Sequence, residues 1–459
     1  MTRNRRTTAD PMEEQIERAL QPGAFIADAA CSAFVGHLEQ IAARIAQLIN
    51  SDTPSAVALY EAFLAACHVK VEELDDSSGS FGQFVLDLYC GWITARQADG
   101  ADPAATAARL LACMDDDDYG FCHQLETEAA RVFDKANLAA FVALVRARFD
   151  AAAGAPATNE GALRDRSAYL RRHWGDVLRT LYVAAQDVGA YVALAEESGL
   201  GAQDCHTIAT LLLAKGQPEQ SLAWVERGID LAGQVPQAAM AGHDLATLKR
   251  QLLAKVGRRN EALDGAWADY RQRPSRYTYD ELLQFVPAAE RGAWHARAMD
   301  AAMEAPRGAH LNSLLDLLLT SGETGRLADV VRQADDDALE HLSHYVTEPI
   351  ARALETTQAD VAARLWRAQA MRIVNAGKSK YYAAALANFA SARRCFECAG
   401  LAAEWQETVR QVRADHHRKG GLMRGFERLV AGSAAGDEPT FLDRAKARWS
   451  GRQCRGAGG

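Results

Sequence analysis

Apolar residues recur at helical spacing along most of the chain, and the clearest example lies between residues 211 and 270. Two apolar runs there end at Gly216 and Gly257, and a second apolar run follows each glycine. Within these second runs the apolar residues are three or four positions apart: Leu222, Val225 and Ile229 in one, and Leu263, Trp267 and Tyr270 in the other. Such spacing places the side chains on one helix face. The pattern therefore predicts two helix pairs, each turning at its glycine.

The wider pattern predicts an all-α fold. Paired helices that recur at a period of about 40 residues are typical of helical repeats, in which each pair buries its apolar face against the next. We therefore expect a tetratricopeptide-like helical-repeat α-solenoid with an N-terminal helical domain. The expected divisions are a disordered arm at 1–10, the N-terminal domain at 11–150, a small and polar linker at 151–161, the repeat domain at 162–432, and a largely disordered tail at 433–459.

Three polar positions carry the signature of a helix start. Asp52 precedes Pro54, and Asp102 precedes Pro103; both aspartates are suited to accept hydrogen bonds from a first helical turn. Thr278 and Glu281 have the spacing of a capping box ahead of an apolar run. We expect one helix to begin near each of these three positions.

Composition and charge narrow the classes of function. The 459 residues carry a net charge of -9, which gives no global attraction to nucleic acid or to anionic lipid. No apolar run approaches the roughly 18 residues that a membrane helix needs, and no apolar stretch follows the basic N-terminus as it would in a signal peptide. The nine cysteines are irregularly spaced, which favours a reducing compartment over a disulfide framework. We expect a cytoplasmic protein that makes no membrane contact.

Several long motifs resemble a known family. They include LYEAFL (59–64), VEELDDSSG (71–79), DDDYGFC (116–122), EALDGAWADYRQRPSRYTYDELL (261–283), NAGKSKYYAAALANFASARRCFECAGLAAEW (375–405) and HHRKGGLMRGFERL (416–429). Together these motifs resemble a bacterial family of helical proteins known as a domain of unknown function. Its central and C-terminal parts are similar to the helical region that follows the zinc finger of bacterial SWIM-type proteins. The finger's Cys-x-Cys and Cys-x-His motif is missing here, so the resemblance implies a stacked helical array that binds a partner, without zinc-finger activity.

Two acidic loops are candidate binding sites. One contains Asp75 and Asp76, and the other contains Asp116 and Asp117. Their carboxylates could bind a hard cation and support a metal-dependent enzyme, although neither loop has the ligand spacing of an EF-hand. They could instead cap helices, or contribute to partner recognition on a rigid scaffold.

A basic segment at 410–428 is the second candidate site. It holds Arg413, Arg418, Lys419 and Arg424 among six cationic side chains, with few acids and a single aromatic residue, Phe426. Such a segment could bind the phosphates of a nucleic acid, which would make the protein a nucleic-acid accessory factor. Cations at a solvated helix end explain the same composition.

Other motifs favour structural roles. Cys395 and Cys398 have a two-residue gap typical of metal or redox motifs, but no second pair lies nearby, and we interpret them as helix residues. Gly377 and Lys378 lack the earlier glycine of a phosphate-binding loop, so we expect a turn between helices. No catalytic motif is found and no cofactor is predicted. The leading hypothesis is a non-catalytic scaffold that binds another protein.

Overall fold

The computed structural model describes residues 11–23, 25–153, 161–305 and 311–432. The predicted arm at 1–10, most of the predicted linker and the predicted tail at 433–459 lie outside the described residues. The chain divides into two compact units, Met1–Val256 and Gly257–Gly459.

The first unit is helical throughout its described part. Its α-helices are α1 (Pro11–Ala19), α2 (Asp28–Leu48), α3 (Thr53–Lys70), α4 (Ser80–Ala98), α5 (Pro103–Asp115), α6 (Leu125–Val132), α7 (Lys135–Ala153), α8 (Gly161–Ala184), α9 (Val188–Ser198), α10 (Ala202–Ala214), α11 (Pro218–Gln234) and α12 (Ala239–Lys255). Short 3-10 turns occupy Val71–Glu73 and Pro236–Ala238. One isolated parallel bridge pairs Ile26 with Leu74.

The second unit is helical as well. Its α-helices are α13 (Arg259–Gln272), α14 (Arg276–Phe285), α15 (Arg291–Glu304), α16 (Leu311–Thr320), α17 (Thr324–Gln333), α18 (Asp336–Glu340), α19 (His344–Leu354), α20 (Ala359–Asn375), α21 (Tyr382–Cys398), α22 (Ala402–His416) and α23 (Gly420–Ala431). Two 3-10 turns lie at Ala288–Glu290 and Ser379–Tyr381. The predicted all-α class is therefore confirmed for the part of the chain that the structure describes.

Helices begin where the sequence predicts them at two of the three positions, and an aspartate caps each of these two helices. The carboxylate of Asp52 accepts a hydrogen bond from the Ser55 amide, and that of Asp102 accepts one from the Ala105 amide at 2.8 Å. The third prediction was wrong by three residues. Ser275 caps α14 by accepting a hydrogen bond from the Thr278 amide. Thr278 is the third residue of that helix, and its hydroxyl oxygen accepts a hydrogen bond from the Ser275 amide.

The core of the first unit extends on both sides of the predicted linker. Its cluster of buried apolar residues includes Phe63, Trp92 and Phe141 before residue 151, and Trp174 and Leu212 after residue 161.

Phe149, in α7, joins the two sides. Its ring is covered by the guanidinium of Arg146 at 4.9 Å and by that of Arg171, in α8, at 4.3 Å. Because Phe149 is fully buried, α7 and α8 share one core.

The predicted glycine turns are confirmed. Gly216 separates α10 from α11, and Gly257 separates α12 from α13. Both have positive φ, +73° and +86°, a conformation that glycine adopts without steric cost.

Helix α11 packs against both α10 and α12. A buried glycine of α11, Gly228, makes this approach close. A β-carbon added there would lie 2.7 Å from the Cβ of Cys205 and 2.8 Å from Cδ1 of Leu245.

Aromatic and polar contacts connect α13, α14, α15 and the residue that precedes α17 in the second unit. The guanidinium of Arg297 lies over the rings of Trp267 and Trp294, 4.4 and 4.7 Å from their centroids. The Tyr279 hydroxyl pairs with Nδ1 of His295 at 2.7 Å, and Nε2 of the same ring pairs with Glu323 at 2.9 Å. These contacts fix the orientation of the helices by side-chain geometry as well as by apolar burial.

Candidate functional site

The two predicted acidic loops meet in the first unit. The hydroxyl of Tyr119, from the second loop, donates to the Glu72 carboxylate beside the first loop. The ring of Phe121 packs edge-on against Phe81, with their centroids 6.2 Å apart. The structure therefore brings together two loops that are about 40 residues apart in sequence.

One carboxylate in each loop holds the backbone. Asp76 accepts hydrogen bonds from the Phe81 and Gly82 amides, both at 2.8 Å, and so caps α4. Asp117 accepts from the amides of Phe121 and Cys122 at 2.8 and 2.7 Å. Each carboxylate thus satisfies two amides that would otherwise lack a partner.

The other two predicted aspartates are placed differently. Asp75 accepts hydrogen bonds from the Ser77 amide and hydroxyl, which stabilises the turn, and Asp116 lies at the C-terminal end of α5. Among the described residues, no group of three histidine, cysteine, aspartate or glutamate side chains could hold a metal ion.

The predicted basic residues do not form one cationic surface. Arg413 makes a two-point ion pair with Glu427, at 2.6 and 2.9 Å. Lys419 donates to the carbonyl of Val374 near the end of α20, where a cation is favoured. Arg418 and Arg424 are exposed. Arg413 and Lys419 are therefore committed to contacts with distant parts of the chain, and Arg424 makes only a local one, to the Gly420 carbonyl at 3.5 Å.

The remaining motifs occupy helices and turns. Cys395 and Cys398 lie in α21, where the first is buried and the second is exposed. Burial raises the pKa of the Cys395 thiol to about 11, so the thiol is protonated at neutral pH. Gly377 lies in the turn between α20 and α21, with φ of +69°.

A charged cleft of about 950 Å³ lies in the second unit. Helix α18 forms one wall, α20 forms the floor and α22 forms the facing wall; Phe396 and Leu401 supply apolar surface. Seven acidic side chains and four arginines are in the lining: Asp336, Asp337, Glu340, Asp360, Glu404, Glu407, Asp415, Arg332, Arg364, Arg367 and Arg410. The cleft is therefore polar, with an excess of negative charge.

Arg367 connects the floor to both walls. One of its terminal nitrogens, Nη2, donates to Gln411 of α22 at 2.6 Å. The other, Nη1, lies 3.0 Å from Asp336 and 3.5 Å from Glu340 of α18. Arg367 is only 7% exposed, and within the described residues Nη1 makes no well-aligned hydrogen bond. A guanidinium that has lost water requires partners of this kind, and the two carboxylates of α18 and the Gln411 side chain supply them.

Two further arginines hold the shape of the cleft. Arg364 donates to the carbonyls of Val331 and Ala334 at the end of α17, and to Asp336 at 2.8 Å. Arg332 pairs with Asp360 at 2.7 Å. Both guanidinium groups are used in fixing α17 and α18 to α20.

The carboxylates differ in their surroundings. Burial raises the pKa of Glu340, although the charge of Arg367 acts in the opposite direction. At the rim, Asp337, Glu404 and Asp415 are exposed. No arginine or lysine of the described chain lies within ion-pair distance of these three, whereas Glu407 pairs with Arg410. The rim thus presents three carboxylates without an arginine or lysine partner in the described chain, although Nδ1 of His341 lies 3.7 Å from Asp337.

Sequence patterns did not identify this cleft, although one feature pointed to it. Arg367 lies between Trp366 and Ala368 in α20, and all three residues are buried. A charged residue on a buried helix face requires partners, since an unpaired buried charge is strongly unfavourable. The acidic run at 335–337 supplies one of them.

None of the described helices is both long and apolar enough to span a membrane. The comparison with curated proteins found no match. A family model described as a family of unknown function, DUF6880, matches residues 7–424. That match covers most of the chain and includes both acidic loops and every residue that lines the cleft. The chain therefore belongs to the DUF6880 family.

Proposed function

We propose that this protein is a non-catalytic helical scaffold that binds a partner protein in the cleft of its second unit. The observation that carries the proposal is the polar cleft itself, whose exposed rim carboxylates Asp337, Glu404 and Asp415 have no arginine or lysine of the described chain within ion-pair distance. Polar groups placed on rigid helices at the base of a cleft are suited to orient a bound segment.

The chemistry of the lining favours binding over catalysis. It offers carboxylates and guanidinium groups but no thiol, imidazole or amine among the described residues. Its hydroxyl group, on Thr408, donates to the Glu404 carbonyl at 3.0 Å. A serine, threonine or cysteine nucleophile beside a histidine or lysine base is not part of the described lining.

The proposal includes a tetratricopeptide-like arrangement of the helices and a cytoplasmic location. The helix pair α10 and α11, which turns at Gly216, supports the first, and unpaired cysteines in the described residues support the second. Similarity to the helical region of SWIM-type proteins belongs to the same proposal and rests on the motifs at 261–283 and 375–405.

The second candidate function is a nucleic-acid accessory role for the segment 410–428. The observation that favours it is the exposure of Arg418 and Arg424, which could both contact phosphate. Salt-dependent binding of labelled DNA or RNA, lost in Arg418→Glu with Arg424→Glu, would support this role. Lack of binding at low salt would contradict it.

Photo-cross-linking in cells tests the scaffold proposal. A photoreactive amino acid replaces Ala414, an exposed residue of the cleft lining, and, in a separate variant, Ala293, an exposed residue outside the lining. We expect a defined protein to be cross-linked from position 414 and not from position 293. Equal cross-linking from both positions, or none from 414, would contradict the proposal.

A further inference from the structure

We infer that the second unit binds single-stranded nucleic acid on a basic surface formed by two neighbouring turns. One turn joins α20 to α21 (residues 376–381), and the other joins α22 to α23 (residues 417–419). This inference rests on the second candidate function and deepens it. It adds the α20–α21 turn to the segment 410–428 and specifies the form of the nucleic acid.

Contacts between the helices hold the two turns side by side. The ammonium group of Lys419 donates to the Val374 carbonyl at 2.5 Å and so joins the α22–α23 turn to the end of α20. Gly421, in the first turn of α23, lies beside the ring of Tyr382, the first residue of α21. A β-carbon added to Gly421 would be 3.9 Å from Cδ2 of that ring. The side chains of both turns therefore contribute to one surface.

This surface carries cations without acids. Residues 376–382 and 416–426 contain no aspartate or glutamate, although the whole chain has a net charge of -9. Four exposed cations lie in or beside the turns: Lys378, Lys380, Arg418 and Arg424. The side chain of Arg424 folds back to the α22–α23 turn, where its Nε donates to the Gly420 carbonyl. Since no carboxylate of the described chain is within ion-pair distance of these four, they are available to phosphates.

An exposed aromatic ring among the cations favours a single strand over a duplex. Tyr381 is 48% exposed, and Nζ of Lys380 lies 4.9 Å from the centroid of its ring. Surfaces that bind single strands combine cations along the phosphates with aromatic rings on which bases stack. In a duplex the bases already stack on one another, so a duplex would use the cations and leave the ring without a partner.

Fluorescence anisotropy with the full-length protein tests the inference. The labelled probes are oligothymidine and oligouridine of twelve nucleotides and a DNA duplex of twelve base pairs. We expect both single strands to bind saturably, more weakly as salt is raised, and at least fivefold more tightly than the duplex. Tighter binding of the duplex would overturn the inference and leave the accessory role standing. Binding to phosphatidylserine vesicles in place of oligothymidine would overturn both.

Charge reversal tests each turn separately. Lys378→Glu with Lys380→Glu should lower the affinity for oligothymidine at least tenfold, as should Arg418→Glu with Arg424→Glu. The matched control is Lys135→Glu with Arg291→Glu, which changes the exposed first residues of α7 and α15, where an acid is favoured.

This control should bind within twofold of wild type, and thermal midpoints show whether each variant folds. An equal loss in the control would attribute binding to net charge and overturn the inference. A loss confined to the arginine variant would exclude the α20–α21 turn and leave only the segment 410–428.

Stacking on Tyr381 has its own readout. Tyr381→Ala should weaken oligothymidine binding at least fivefold and leave the slope of log affinity against log salt unchanged, because no phosphate contact is lost. Tyr381→Phe keeps the ring and should bind as wild type does. An unchanged affinity in Tyr381→Ala, or a loss of the same size in Tyr381→Phe, would contradict base stacking at this surface.

Discussion

Asp75 and Asp76 are adjacent in the first acidic loop, yet the structure gives them different roles. Asp76 caps α4 through two amides, whereas Asp75 stabilises only the turn at Ser77. The acidic composition of the loops and their capping potential could be predicted from the sequence. The sequence could not predict which of the two carboxylates caps the helix, because that depends on the path of the backbone through Gly79, which has positive φ.

Replacing Asp76 by alanine should lower the free energy of unfolding by about 1–2 kcal/mol, since two first-turn amides would lose their acceptor. Asp75→Ala is the matched control and should cost about 0.5 kcal/mol or less. Urea denaturation at pH 7 measures both changes. Equal effects of the two substitutions would contradict the capping assignment.

His416 and His417 form a second pair of neighbours with different surroundings. His416 is buried, and within the described chain its Nε2 has no hydrogen-bond partner, while His417 is exposed. Burial, with a smaller effect from the charge of Lys419, lowers the pKa of His416 below its ordinary value near 6.5. The folded state therefore disfavours the protonated ring.

This lowered pKa predicts a loss of stability in acid. As the pH falls, the unfolded chain takes up a proton on His416 before the folded chain does. The neutral ring's contribution to the free energy of unfolding is therefore fully present above pH 6.5 and is lost as the pH falls through the pKa of the folded state. The drop in urea midpoint between pH 7.5 and 5.5 should be smaller in His416→Leu than in wild type. The same drop in His417→Leu should match wild type, and equal drops in all three proteins would refute the assignment.

At the scale of helices, periodicity and turn residues predicted the elements well, but not every boundary. The turns at Gly216 and Gly257 are where the apolar spacing placed them. The capping-box prediction at Thr278 failed because Ser275, three residues earlier, also suits a helix start. Local sequence does not decide between two such starts, since the choice depends on which apolar residues of the helix reach the core.

Close packing of α11 can be tested with two glycines of that one helix. Gly228→Ala should destabilise the protein by about 1–3 kcal/mol, because the new methyl group would overlap Cys205 and Leu245. Gly233→Ala meets no atom within 4 Å and should stabilise by about 0.5–1 kcal/mol through the higher helix propensity of alanine. Thermal or urea unfolding measures both, and a neutral Gly228→Ala would show that the helices are not in close contact.

For the molecule as a whole, the sequence predicted the all-α class but did not predict the cleft. The cleft joins Arg332 of α17 to Asp415 of α22, across more than 80 positions that include several turns. Periodicity indicates which face of a helix is buried, but not which helices face one another. The long-range pairing of Arg367 with Asp336 and Gln411 therefore lay beyond any sequence pattern.

The first unit should fold without the second. Its buried cluster extends from Ile16 to Leu212, so a fragment of residues 11–256 should show one cooperative thermal transition by circular dichroism at 222 nm. A fragment that ends at residue 150 lacks α8 and the cover that Arg171 gives Phe149, and should unfold at a lower temperature. Equal midpoints for the two fragments would instead favour a domain boundary at 151–161.

We propose that the cleft between α18 and α22 binds another protein, and hydrogen exchange can locate that binding on the chain. The measurement compares the full chain alone with the full chain bound to the protein that is cross-linked from position 414. We expect slower exchange in peptides that contain residues 336–340 and 402–416, and no slowing in the variant Asp337→Asn, Glu404→Gln, Asp415→Asn. Slower exchange confined to residues 1–256, or no change anywhere, would contradict it.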